Sequence, residues 1–118
     1  MNESHTTEAQ RAAAIRKAVR AIKRGHFASY GEVARRAGLP GRARLVGKVL
    51  RDSGDTVSLP WHRVTGAGGR IAFAPGSKNA REQLRRLARE GIQARGRRVL
   101  PRPAVTSART LDALLWKM

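Results

Sequence analysis

The sequence predicts a mostly α-helical chain with a small β hairpin, arranged as a winged helix-turn-helix. Three observations predict it. A short helix from about Tyr30 to Ala37 and another over Arg42–Asp52 are joined by a turn containing Gly38, Pro40 and Gly41. The second of these carries a basic stripe at helical spacing, Arg44, Lys48 and Arg51. Two short segments with strand character, 59–64 and 70–73, flank the glycine-rich turn Thr65–Gly69, as a wing would. At 118 residues the chain is expected to be one domain spanning 1–118, with 1–6 and about 95–109 as looser extensions.

Charge narrows the partner. There are 25 Lys and Arg against 8 Asp and Glu, a formal net charge of +17. Such an excess costs stability through self-repulsion, so it points to a polyanion, with nucleic acid first. A membrane surface is not expected, because no long apolar helix face accompanies the charge. No stretch approaches the roughly 20 apolar residues of a membrane span. The beginning of the sequence lacks the apolar run of a secretory signal, so a cytoplasmic, nucleoid-associated location is expected. The sequence has no cysteine. That excludes disulfides, thiolate zinc sites and any thiol nucleophile. No metal and no cofactor are expected. The glycines of 66–69 fit neither the phosphate loop of nucleotide hydrolases nor the dinucleotide fingerprint.

The elements follow in order. Thr7 and Gln10 make a capping box for a helix to about Arg24, ending at Gly25. Ile15, Ala18, Val19 and Ile22 share its apolar face. Ser29-Tyr30-Gly31-Glu32 is a second capping box, opening a helix at about Tyr30. In the helix from Arg42 the apolar face is Leu45, Val46, Val49 and Leu50. Leu59 to Val64 is expected to be extended, limited by Pro60, with Arg70–Phe73 as its return strand. Ser77 caps a helix from about Lys78 to Glu90, with Ala80, Leu84, Leu87 and Ala88 inward. Ile92–Pro103 is expected to be basic and irregular, with a short strand near Arg98–Leu100. A last turn or two, Leu111–Trp116, is expected to pack back on the core.

One cluster stands out against a plain core: Pro60-Trp61-His62-Arg63-Val64. It resembles the Pro-Cys-His-Arg-Val motif of the O6-alkylguanine-DNA alkyltransferases, with Trp61 where that family keeps its cysteine. Three further segments resemble the same family in the same order. They are Ser29-Tyr30-Gly31-Glu32-Val33-Ala34, Ala43-Arg44-Leu45-Val46-Gly47 and Leu87-Ala88-Arg89-Glu90-Gly91. The tryptophan, and a length with no room for the enzymes' extra N-terminal domain, resemble the alkyltransferase-like branch.

The resemblance implies a non-enzymatic sensor of O6-alkylguanine in double-stranded DNA. Such a protein acts from the minor groove and flips the nucleotide into a pocket, at a cost of a few kcal/mol in lost stacking. Arg44 resembles the arginine finger that fills the vacated place, where a guanidinium can stack and hydrogen-bond. Tyr30 resembles the tyrosine beside the flipped nucleotide. Trp61, Val64 and Phe73 would complete the lesion pocket, the carbonyls of Trp61 and Val64 accepting the guanine amine. His62 and Glu90 would be a retained structural pair, with Arg63 structural as well. Phosphate contacts are expected from Arg36, Arg42, Lys48 and Arg51. The resemblance further implies nucleotide excision repair proteins as partners, and a monomer.

Two departures stand beside it. Asp52-Ser53-Gly54 replaces a family asparagine that braces the helix-turn-helix, leaving Ser53 as a weaker brace. Phe73-Ala74-Pro75-Gly76-Ser77 replaces a Ser-Gly-Gly pocket loop, and Pro75 has no N–H to offer the guanine O6. Phe73 or Arg70 would contact the base instead. Two rival readings remain open on the residues. One is a winged-helix transcription regulator or general DNA-binding protein reading the major groove with Arg42–Arg51. The other is an enzyme using His62 as general base, oriented by Glu90.

Overall fold

Where the chain can cap itself, it folds as its local chemistry dictates. The structure, a computed structural model, describes residues 7–53 and 58–101. The expectations for 1–6 and for Leu111–Trp116 lie outside the described residues. Helix α1 runs Glu8–Arg20. The Thr7 hydroxyl accepts the Gln10 N–H at 3.0 Å and the Gln10 side chain accepts the Thr7 N–H at 3.2 Å, so the expected capping box is complete. Ile15, Ala18, Val19 and, just past the helix, Ile22 are all buried. The helix stops four residues before Arg24. The turn that follows swings Ile22 into the core and leaves Gly25 at φ 82°.

Strand β1, Ala28–Ser29, leads directly into α2, Tyr30–Arg36. Ser29 caps α2 by accepting the Glu32 N–H at 3.1 Å. Here the reciprocal half of the expected box is missing, because Glu32 turns outward to Arg35 and Arg36. After the turn at Gly38 and Gly41, α3 spans Ala43–Ser53. It packs on α2 through Val46 and Val49, against Val33, Ala34, Ala37 and Leu39. This pair is the expected helix-turn-helix. Ser53 donates to the Val49 carbonyl at 2.7 Å and so closes the last turn of α3.

The expected hairpin between 59–64 and 70–73 is not formed. Leu59 accepts the Trp61 N–H at 2.8 Å across Pro60, and Trp61–Arg63 coils into a 3-10 turn. Only Val64–Thr65 is extended, as β2. Its ladder edge is taken by β1 in parallel, with Ala28 opposite Val64 and Ser29 opposite Thr65. Segment 70–73 pairs elsewhere. Arg70 bridges to Arg98, and the Ile71 N–H donates to the Arg97 carbonyl at 2.8 Å. Among the described residues the hairpin is β3, Ala94–Arg95, with β4, Arg98–Val99; β4 is the strand expected near Arg98–Leu100, whereas β3 lies in the stretch expected to be irregular.

Helix α4, Lys78–Arg89, is capped by Ser77 as expected. Its buried face is Ala80, Gln83 and Leu87, with Leu84 half-buried; Ala88 faces solvent instead of the core. The core falls into two clusters. One joins α1, α2, α3 and Val64; the other gathers Ile71, Ala80, Leu87, Ile92 and Val99 with Phe27 and Phe73. The 3-10 turn Trp61–Arg63 lies against α4, and β2 continues from it into the first cluster.

Candidate lesion-binding site

Glu90 is the anchor of this region. It is the C-cap of α4, and its side chain is only 5% exposed. Its carboxylate accepts from His62 Nε2 at 2.8 Å, from Arg63 Nε at 3.0 Å and Nη2 at 2.8 Å, and from the Gly25 N–H at 2.9 Å. Burial opposes its ionisation. The hydrogen bonds from Arg63, Gly25 and His62 outweigh burial and hold its pKa at about 2. Arg63 spends its remaining reach on the Ile22 carbonyl at 2.9 Å. One planar fork thus ties the end of α1 and the end of α4 to the 3-10 turn. The expected pairing of His62 with Glu90 and the structural part of Arg63 are both present.

His62 is itself buried, and burial depresses its pKa despite the carboxylate beside it. It is therefore neutral at pH 7, and the carboxylate partner assigns its proton to Nε2. That leaves Nδ1 as a buried lone pair with no hydrogen-bond partner among the described residues. Gln83 holds the backbone of the same turn. Its Nε2 donates to the carbonyls of His62 at 3.1 Å and Val64 at 2.9 Å. The Val64 carbonyl, expected to accept a guanine amine, already takes this bond, and the Trp61 carbonyl takes the Val64 N–H. Each carbonyl has a second lone pair, although Val64 as a whole is only 1% exposed.

Trp61 is half-buried and fixed on two sides. The Phe73 ring meets it edge-on, with centroids 5.8 Å apart at 89°. The Arg86 guanidinium stands 5.2 Å from its ring centroid and is held by Glu82 at 2.8 Å. Both contacts favour one rotamer of the indole. Phe73 is thus brought to Trp61 as expected, whereas Arg70, its alternative as a base contact, is carried off to Arg98.

The helix-turn-helix supplies the rest. Tyr30 opens α2 and is partly buried against the first core cluster. Burial raises its pKa, and the Arg51 charge offsets this in part. Gly47 of α3 lies under the ring, where a Cβ would meet Tyr30 at an ordinary contact distance of 4.0 Å. The β1–β2 ladder links Tyr30 to Val64, since Ser29, its neighbour, pairs with Thr65. Arg44 sits exposed in the first turn of α3. With Arg42, Lys48 and Leu45 it lines an open groove of about 580 Å³. Arg36 is paired with Glu32 at 3.0 Å and Lys48 with Asp52 at 2.8 Å. These are exposed pairs of the kind worth about 0–1 kcal/mol, so a phosphate can displace them. The structure therefore gathers the expected residues into two groups. His62, Glu90, Trp61, Val64 and Phe73 gather at the 3-10 turn; Arg44, Lys48 and Arg51 lie on α3 with Arg42 just before it, and Tyr30 and Arg36 lie on the neighbouring α2.

Sequence reasoning misses Gln83, Arg86 and the bond from the Gly25 N–H to Glu90. Gln83 had a signal, because it sits in phase with Ala80 and Leu87 on the inner face of α4. A polar residue at such a position must bond something. The Gly25 bond and Arg86 had none. Among the described residues no group of three His, Cys, Asp or Glu could hold a metal, and no helix is long and apolar enough to cross a membrane.

Comparison with known proteins agrees with this layout. Residues 10–92 match the family model of the 6-O-methylguanine DNA methyltransferase DNA-binding domain. A DNA base-flipping protein of Vibrio parahaemolyticus is 39% identical over 72 residues, covering 61% of this chain and 70% of that protein. Alkyltransferase-like protein 1 of Schizosaccharomyces pombe is 37% identical over 76 residues, covering 64% and 70%. The crystal structure of S. pombe Atl1 in complex with damaged DNA containing O6-carboxymethylguanine superposes with a TM-score of 0.67 at 30% identity, over 80% of this chain and 83% of that one. The Mycobacterium tuberculosis O6-methylguanine methyltransferase matches at a TM-score of 0.54 and 33% identity, over 67% of this chain and 47% of that enzyme. The chain belongs to the 6-O-methylguanine DNA methyltransferase DNA-binding family, as an alkyltransferase-like member.

Proposed function

We propose that this protein is a non-enzymatic sensor of O6-alkylguanine in duplex DNA. The observation that carries this reading is Trp61. It stands at the nucleophile's place in the motif, clamped by Phe73 and Arg86, beside an intact His62–Glu90–Arg63 network. The network that would activate a thiolate is kept, but the sequence holds no thiol. Transfer of an alkyl group to a cysteine thiolate is therefore excluded, and the network serves to hold the turn.

In this reading α3 enters the minor groove, with Arg44 filling the place of the flipped nucleotide. Tyr30 lies beside that nucleotide. Trp61, Val64 and Phe73 receive the base, and an apolar wall favours an alkylated O6 over a bare one. An added methylene in such a pocket discriminates by about 1–3 kcal/mol. Arg36, Arg42, Lys48 and Arg51 take backbone phosphates, which dominate affinity. The bound complex then marks the lesion for nucleotide excision repair proteins.

The test is a duplex carrying one O6-methylguanine labelled on its methyl group, incubated with excess protein and then deproteinised. The label is expected to stay wholly on the DNA while the complex forms. Label on the protein or in solution would show an enzyme and end this reading.

A further inference from the structure

Outside the lesion site, three arginines converge on one cleft of about 300 Å³: Arg70, Arg97 and Arg98. Among the described residues none of the three is in an ion pair. Their hydrogen bonds go to backbone oxygens. Arg97 Nη2 donates to the carbonyls of Ile71 at 2.9 Å and Phe73 at 2.6 Å, and Arg98 Nη1 donates to that of Gly68 at 3.3 Å. Backbone oxygens orient a guanidinium without neutralising it. All three are exposed, so water and salt screen their repulsion, but their charge is gathered at one cleft where it raises the local attraction for an anion.

The glycine-rich turn builds this cleft. Gly68 has φ 69°, and a Cβ there would lie 3.1 Å from Arg98 Nη1. Gly69 has φ 85°, and a Cβ there would lie 2.5 Å from the Val99 carbonyl oxygen. Only glycine lets the turn close on β4 and seat Arg98 beside it. The turn lacks any nucleotide fingerprint, yet it organises a group of phosphate-type donors. The cleft also adjoins the lesion site. Phe73 meets Trp61 with its ring and holds Arg97 with its carbonyl.

We propose that Arg70, Arg97 and Arg98 form a seat for a backbone phosphate of the DNA, separate from the helix-turn-helix and next to the Phe73 side of the lesion pocket. Planar guanidiniums fit phosphate oxygens in pairs. The seat would give the duplex a second point of attachment, fixing its direction across Trp61. This rests on the reading of the protein as a DNA-binding lesion sensor.

The experiment measures binding of a short duplex, with and without one O6-methylguanine, across a salt series. It uses the full chain, Arg70→Gln/Arg98→Gln and Arg70→Lys/Arg98→Lys. Arg97 is left in place because its bonds to Ile71 and Phe73 support the fold. The slope of log K against log salt is expected to fall by about 0.9 per phosphate lost in the Gln variant. The Lys variant should keep the wild-type slope, and the preference for the modified duplex should change little in either. An unchanged slope in a Gln variant whose melting curve matches wild type overturns the proposal. A Gln variant that melts early is replaced by Arg70→Gln alone, held to the same criterion. A separate arm adds inorganic phosphate at constant ionic strength. Strong competition by it, with no slope change in the variants, would assign the cleft to a free anion and overturn the DNA seat. Should the wild type bind both duplexes equally, the lesion reading fails, while the slope still decides the seat.

Discussion

Replacing Glu90 with alanine should cost more stability than almost any other single change in this chain. The carboxylate accepts four hydrogen bonds, two from Arg63, one from His62 and one from the Gly25 N–H. Its removal leaves the Arg63 side chain, 17% exposed, with the Ile22 carbonyl as its one remaining partner among the described residues. Breaking a buried pair from one side costs about 3–5 kcal/mol. That is a large part of the roughly 6–18 kcal/mol available to a chain of this size. At about 3–6 °C per kcal/mol for a chain of this size, the melting temperature should fall by about 10 °C or more. The pH dependence supplies a second signature. Glu90 has its pKa lowered from 4.5 to about 2 in the folded state, so its contribution is full above about pH 4.5. That contribution, about 3 kcal/mol, is lost as pH falls toward 2. Thermal and urea melts from pH 7 to 2 would read both. The wild type should lose stability through that window, and Glu90→Ala should lose much less there. A loss under about 1 kcal/mol at pH 7, or an identical acid profile, would refute the network as anchor. A double change, Arg63→Met with Glu90→Leu, removes both charges and should recover much of the loss.

Other outcomes follow from the same contacts. Gln83→Leu leaves the His62 carbonyl without its Gln83 donor and should cost about 1–3 kcal/mol in urea unfolding. Because the Val64 carbonyl is then no longer held, the preference for modified duplex should fall as well. Gly69→Ala should destabilise far more than Gly41→Ala. Both have φ above 80°, but only at Gly69 would a Cβ strike a backbone oxygen. Equal melting temperatures for the two would contradict the close approach of the turn to β4. Lys48→Ala should weaken modified and plain duplex alike and lower the salt slope by about 0.9. A loss confined to the modified duplex would place Lys48 in lesion contact instead.

Local signals in the sequence were reliable where one residue decided the structure. Thr7, Ser29 and Ser77 each mark a helix start, and each cap is found. The apolar periods of α1 and α3 pick out Ile15, Val19, Val46 and Val49, all buried. The expected pairing of 59–64 with 70–73 is not found, because strand pairing is a competition between edges. Nothing local to Val64–Thr65 reveals that Ala28–Ser29, some 36 residues earlier, takes its edge first. For the same reason the hairpin was expected too early in the chain. At the site, His62–Glu90 was legible through the family motif. Gln83 went unread because its partners are backbone carbonyls, which no side-chain pattern encodes. The arginines at 97 and 98 looked like tail charge until the glycine turn folded onto them.

The most direct test of the central claim is competition binding at fixed, near-physiological salt. It compares a short duplex containing one O6-methylguanine with the same duplex containing guanine, for the wild type and for Arg44→Ala. A lesion sensor with an arginine finger predicts tighter binding to the modified duplex, largely lost in Arg44→Ala. Equal binding of the two duplexes by the wild type would contradict it and leave a general DNA-binding helix-turn-helix.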